Sequence, residues 1–122
     1  LREFRPLAEQ GYELAQFNLG QMYDKGEGVP QDDQTAVKWY RLAAEQGVAK
    51  AQFDLGVMYY KGRGVPQDFV YAHIWFNVAA SQGHENGANN RDLLAKEMTP
   101  SQIAKAQELA RECVKKKFKE CD

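Results

Sequence analysis

The residues able to do chemistry in this chain are few and widely spaced. "KGEGVPQD" at 25–32 and "KGRGVPQD" at 61–68 carry the glycines of a phosphate cradle. Such a cradle needs a preceding strand, a fuller glycine pattern and a Lys-Ser/Thr pair after it, and none of these is written here. His73 and His84 have no second His or Cys at ligand spacing, so neither a metal nor a cofactor is expected. No G-x-S-x-G, no Ser-x-x-Lys and no His-supported Cys marks a nucleophile. Asp24, Asp32, Asp33, Asp54 and Asp68 are explained more simply by helix caps and solvated faces than by an acid/base pair. No catalytic residue is assigned.

The two octapeptides instead belong to a repeat. Residues 15–47 laid on 51–83 give 20 identities in 33 positions without a gap, an offset of 36. The same offset reaches backwards, where "LREFRPLAEQG" at 1–11 lies under "VKWYRLAAEQG" at 37–47. A period of this length is the mark of a stacked repeat architecture.

Each unit reads as two helices. Ala15, Leu19, Met22 and Tyr23 form one apolar stripe, and Ala36, Trp39, Tyr40, Ala43 and Ala44 form another, both at helical spacing. Nothing alternates like a strand, which makes the chain all-α. The octapeptides connect the helices: Gly26 and Gly62 stop the first helix at positive φ, and Asp32 and Asp68 cap the second. Tyr23 with Tyr59, and Trp39 with Trp75, are expected as ladders of core residues. Gly20 and Gly56 lie inside a helix, where close approach of a neighbour would compensate their low helix propensity.

A net charge of -1 does not announce nucleic acid, and no apolar run approaches a membrane span. Neither nucleic-acid binding nor membrane insertion is expected. One domain fits 122 residues.

The spacing A-x3-L-G-x2-Y-x2-G-x-G-V-x2-D-x3-A-x2-W-[YF]-x2-A-A-x2-G, filled by Ala15 to Gly47 and again by Ala51 to Gly83, resembles the Sel-one-like repeat family. That family belongs with the tetratricopeptide-like helical repeats. The closing segment "NRDLLAKEMTPSQIAKAQELARE" also resembles that of many bacterial members. The resemblance implies a right-handed α-solenoid of antiparallel helix pairs, and a scaffold or adaptor role in binding other proteins. The expected units are 12–47 and 48–83, preceded by the end of a truncated repeat at 1–11. A partial repeat at 84–98 and a capping helix at 99–122 follow.

In the last third the register decays, with Arg91 and Asp92 where Leu55 and Gly56 predict an apolar-small pair. Residues 85–96 read as the first helix of an incomplete unit. Thr99, Pro100 and Gln102 then resemble a capping box that starts a helix running to about Lys119. Ile103, Ala106, Ala110, Cys113 and Val114 are expected to face the array. In one helix Cys113 and Cys121 stand about 12 Å apart, too far for a disulfide unless the end unwinds. Lys115, Lys116, Lys117 and Lys119 read as a solvated helix end complementing the macrodipole.

Stacked first helices line the concave face of such superhelices, so their non-ladder positions are candidate partner contacts. These are Asn18, Gln21, Asp24 and Lys25 in the first unit, and Asp54, Val57, Tyr60 and Lys61 in the second. Tyr60 is singled out because its equivalent is Asp24 and the connector does not demand an aromatic. Phe17 and Phe53 fit either the core or an aromatic row on the groove wall. The function expected is non-catalytic binding of a protein or peptide.

Two alternatives stand beside it. One is a β-lactam or cell-wall-type hydrolase, as in a Cys-rich branch of the family whose paired repeat cysteines this chain lacks. The other is self-association through the N-terminal repeat. The start resembles a first repeat that in many bacterial members follows an export signal, which points to the periplasm, while cysteine use fits the cytoplasm equally.

Overall fold

The computed structural model describes residues 4–122. Within them the helical periodicities become seven α-helices and no strand. These are α1 (Phe4–Glu9), α2 (Glu13–Lys25), α3 (Asp33–Glu45), α4 (Ala49–Lys61), α5 (Phe69–Ser81), α6 (Glu85–Ala95) and α7 (Pro100–Lys115). Residues 1–3 of the expected 1–11 segment lie outside the described residues. The bounds repeat: α2 and α4 start 36 residues apart, and so do α3 and α5. From α1 to α6 each helix packs on the next, and α7 returns to lie on α5.

Local chemistry sets the helix ends. Gly26 and Gly62 close α2 and α4 at φ 69°, donating their N–H groups to the carbonyls of Met22 and Met58. The Asp32 carboxylate accepts the Thr35 N–H at 3.2 Å, and Asp68 accepts that of Tyr71 at 2.9 Å, which satisfies helix donors otherwise left over. Thr99 and Gln102 form the reciprocal capping box ahead of α7. Gly20 and Gly56 are there for close approach: a Cβ would lie 2.5 Å from the Tyr40 ring on one and 2.7 Å from the Phe76 ring on the other. The aromatic ring of each second helix therefore lies directly on the backbone of the first.

Packing between units has a polar component that helical periodicity did not announce. Gln16 and Gln52 are buried, and each donates from Nε2 to a carbonyl at the end of the preceding helix, that of Ala8 at 3.2 Å and of Ala44 at 3.0 Å. Their Oε1 atoms accept from Gln46 and Gln82, both at 2.7 Å. A buried amide is tolerated only with such partners, so the glutamines fix how one helix pair sits on the next. Around them the apolar core runs from Phe17 to Cys121, with Leu55, Met58, Ile74 and Trp75 almost fully enclosed. Trp39 holds the position equivalent to Trp75, in a smaller cluster with Ala8, Ala15 and Leu19.

The C-terminus departs from expectation. Helix α7 stops at Lys115 rather than near Lys119, because Lys117, Phe118 and Glu120 take positive φ values of 54°, 71° and 54°. The chain doubles back and Cys113 and Cys121 form a disulfide, their Cα atoms 5.1 Å apart. The reading of two unbridged cysteines on one helix is therefore corrected by the unwound turn. Asp122 is thereby brought to Arg41, whose Nη2 donates to it at 2.8 Å, and to the Tyr59 hydroxyl. Ala106, Ala110 and Cys113 are buried as expected, whereas Val114 is 43% exposed and does not face the array.

Candidate functional site

Helix α4 repeats α2, and Lys50, Asp54, Val57 and Tyr60, by which it differs, open onto surface hollows together with the shared Phe53 and Lys61. Phe53, Asp54, Val57, Tyr60 and Lys61 recur at helical spacing along one face of α4. This face borders two hollows. The first, of about 180 Å³, lies among Phe17 and Gln21 of α2, Lys50, Phe53 and Asp54 of α4, and His84 and Asn86 at the start of α6. The second, of about 280 Å³, is lined by Val57, Tyr60 and Lys61, together with Phe76 of α5 and Asn90, Leu93, Leu94 and Glu97 in and after α6.

Of the residues singled out in the sequence, Gln21 and Asp54 thus meet in the first hollow, and Val57, Tyr60 and Lys61 in the second. Asn18 and Asp24 line neither. Asp24 is engaged within the fold, accepting the Tyr40 hydroxyl at 2.8 Å and Arg63 Nη2 at 2.7 Å. Arg63 also reaches Asp33 at 2.7 Å, tying the connector of one unit to the helices of the other. Tyr60 donates its hydroxyl to Glu97 at 3.0 Å and stacks on Phe69 with ring centroids 5.4 Å apart, so the ring is held at the edge of its hollow. The open question over Phe17 and Phe53 resolves as both at once: each packs on the core and borders the first hollow.

The electrostatics centre on Asp54. Burial, reinforced by the charge of Asp24 and opposed by Lys25, pushes its carboxyl up to about 7. His73, buried in α5, is pushed down by burial and by Arg91. The other histidine, His84, caps α6 through Nδ1, which accepts the Gly87 N–H at 3.0 Å, while its ring lies 4.9 Å from that of Phe53. No group of three or more His, Cys, Asp or Glu among the described residues could hold a metal ion.

Besides Lys50 and Phe76, the residues of the site that the sequence reading passed over lie in and just after α6. Asn86, Asn90, Leu93 and Glu97 stand 36 residues after Lys50, Asp54, Val57 and Lys61. The register judged to decay at Arg91 and Asp92 continues on the groove side, and following that side alone would have found them. Leu93 is 59% exposed there.

Helix pairs whose bounds recur 36 residues apart define a helical-repeat fold. The Sel1 repeat family model matches residues 13–48 and 49–84, and the chain belongs to that family. Sel1 repeats are commonly used for protein–protein interaction and are generally scaffolds rather than catalysts. The chain is similar to a protective antigen present in uropathogenic Escherichia coli strains that displays an SLR fold. The two are 40% identical with a TM-score of 0.91, over 97% of this chain and 26% of that one. It is also similar to a Sel1 repeat protein from Oxalobacter formigenes, 43% identical with a TM-score of 0.69, over 72% of this chain and 36% of that one. The chain thus spans roughly a quarter to a third of the length of these relatives. No curated protein matches it. Among the described residues no helix is long and apolar enough to cross a membrane.

Proposed function

We propose that the chain is a non-catalytic adaptor that holds a protein or peptide in the groove walled by α2, α4 and α6. The observation that carries this reading is the single face of α4 that serves two hollows while presenting Asp54, Val57 and Tyr60 where the same face of α2 has Asn18, Gln21 and Asp24. Tyr60, Val57 and the exposed Leu93 supply apolar and aromatic contact of the kind that anchors interfaces. Asp54, Gln21 and Lys61 supply the polar contacts, with Asn18 and Asp24 at the first unit's margin. In this reading 12–47 and 48–83 are the stacking units of a right-handed superhelix, 1–11 ends a preceding one, 84–98 is a partial unit and 99–122 closes the array.

The test is affinity capture from the native extract by three folded chains: wild type, a Val57→Lys/Leu93→Lys groove variant, and a Lys38→Glu variant on α3. Groove binding predicts that a partner held by wild type and by the Lys38 variant is lost from the groove variant. A partner held equally by all three would overturn it.

A further inference from the structure

We propose that the hollow between α2 and α4 seats a basic side chain of the bound partner, with Asp54 as its counter-ion and the Phe17 and Phe53 rings as its walls. The proposal deepens the adaptor reading and rests on it.

Asp54 is the charged member of an otherwise neutral row. The positions 36 residues on either side are Asn18 and Asn90, each able to satisfy a polar site without charge. A carboxylate in this place costs desolvation that an amide would not. The other acids nearby are already compensated: Asp24 by Arg63 and Tyr40, Asp33 by Arg63. Among the described residues Asp54 has no hydrogen bond or ion pair, and it borders a hollow large enough to admit another side chain.

The walls match a cation as well. Phe53 is fixed between Phe76, at 5.6 Å, and His84, at 4.9 Å. Phe17 is held by Tyr40 at 6.1 Å. Aromatic faces beside a carboxylate attract ammonium and, more often, guanidinium groups. Gln21 and Asn86 add acceptors for the remaining N–H groups. Lys50, at the same hollow, is exposed and keeps its ammonium in water.

A cation seated here favours the ionised carboxylate, so binding releases a proton and tightens with rising pH. The charged and titratable groups facing Asp54 are Asp24 and Lys25 of α2, Tyr40 of α3, Lys50 of α4 itself and His84 before α6.

The experiment is an NMR titration of the full chain with acetyl-Gly-Arg-Gly-amide and with the same peptide carrying citrulline, the neutral isostere of arginine. The arginine peptide is expected to shift the signals of Phe17, Phe53 and Asp54 saturably, and to bind at least tenfold more tightly than the citrulline peptide. The preference is expected to shrink about tenfold at roughly one pH unit below the Asp54 midpoint. Asp54→Asn, a residue already housed at 18 and 90, should abolish it with the fold intact. Equal binding of the two peptides, an unchanged preference in Asp54→Asn, or no saturable shift would each overturn the proposal. Failure here with partner capture intact removes only the basic side chain. Arginine binding without partner capture removes the adaptor reading and leaves a cation site.

Discussion

The connectors of the two units differ in one letter, Glu27 against Arg63, yet their surroundings differ throughout. In the second connector, a Cβ on Gly64 would fall 2.5 Å from the Asp33 carbonyl oxygen and 2.9 Å from Val37. On the equivalent Gly28 it would meet only the end of the Met22 side chain, at 3.3 Å. Arg63 crosses to Asp24 and Asp33, whereas nothing in the first connector reaches a further unit among the described residues. Letters shared by the units build each helix pair. In the connectors the one letter that differs, Arg63, joins one pair to the next.

The sharpest way to break this comparison is to substitute the two glycines. Both take positive φ, at 77° for Gly28 and 74° for Gly64, so alanine at either position is expected to lose about 1 kcal/mol. Gly64→Ala adds the clash with α3 and should lose about 3 kcal/mol in all, read as a lower denaturation midpoint. Equal losses would mean that the second connector does not bear on the first unit.

Asp54→Asn comes next and should stabilise. The folded carboxyl holds its proton up to about 7, while an unfolded aspartate releases it near its ordinary value of 3.8. Between those values the folded state binds more protons, so stability falls as pH rises and the penalty is complete above about 7. The variant should be more stable by about 2 kcal/mol above pH 7, roughly half of what the full displacement would give because the hollow is open to solvent. The slope of melting temperature against pH between those limits should flatten.

Cys121→Ser is expected to lose about 2 kcal/mol by opening the short loop to Cys113. Amide exchange should rise at 116–122, leaving α2 and α3 unaffected, since the tail docks on Arg41 and Tyr59 through Asp122. Arg63→Ala should lose about 1 kcal/mol, an amount that shrinks with added salt because the guanidinium is 34% exposed. Glu27→Ala should leave stability nearly unchanged.

The repeat, the helix pairs and their caps were legible because each rests on local chemistry: apolar spacing, a glycine at positive φ, an aspartate three residues before an N–H. Tyr60 and Val57 were legible as residues that vary where the repeat does not require them to, whereas Lys61 repeats Lys25 and was legible only from its place on the same helix face. The C-terminal turn was not, since Lys117, Phe118 and Glu120 are not residues that announce positive φ. The bend there accompanies the Cys113–Cys121 bridge and the seating of Phe118 beside Gly47, where a Cβ would come within 3.2 Å of the ring. Neither contact can be read from neighbours in sequence. The glutamine pairs were hidden for the opposite reason: Gln16 and Gln46 recur faithfully as Gln52 and Gln82, and a repeated polar letter does not say that it is buried.

Groove binding is tested most directly with a photo-reactive amino acid placed at Val57 on α4 or at Lys38 on α3, each chain irradiated in native extract. A groove-bound partner cross-links from position 57 and not from 38, and the cross-link disappears when Leu93→Lys is added. A partner that cross-links from position 38 alone would contradict the assignment of function to the groove.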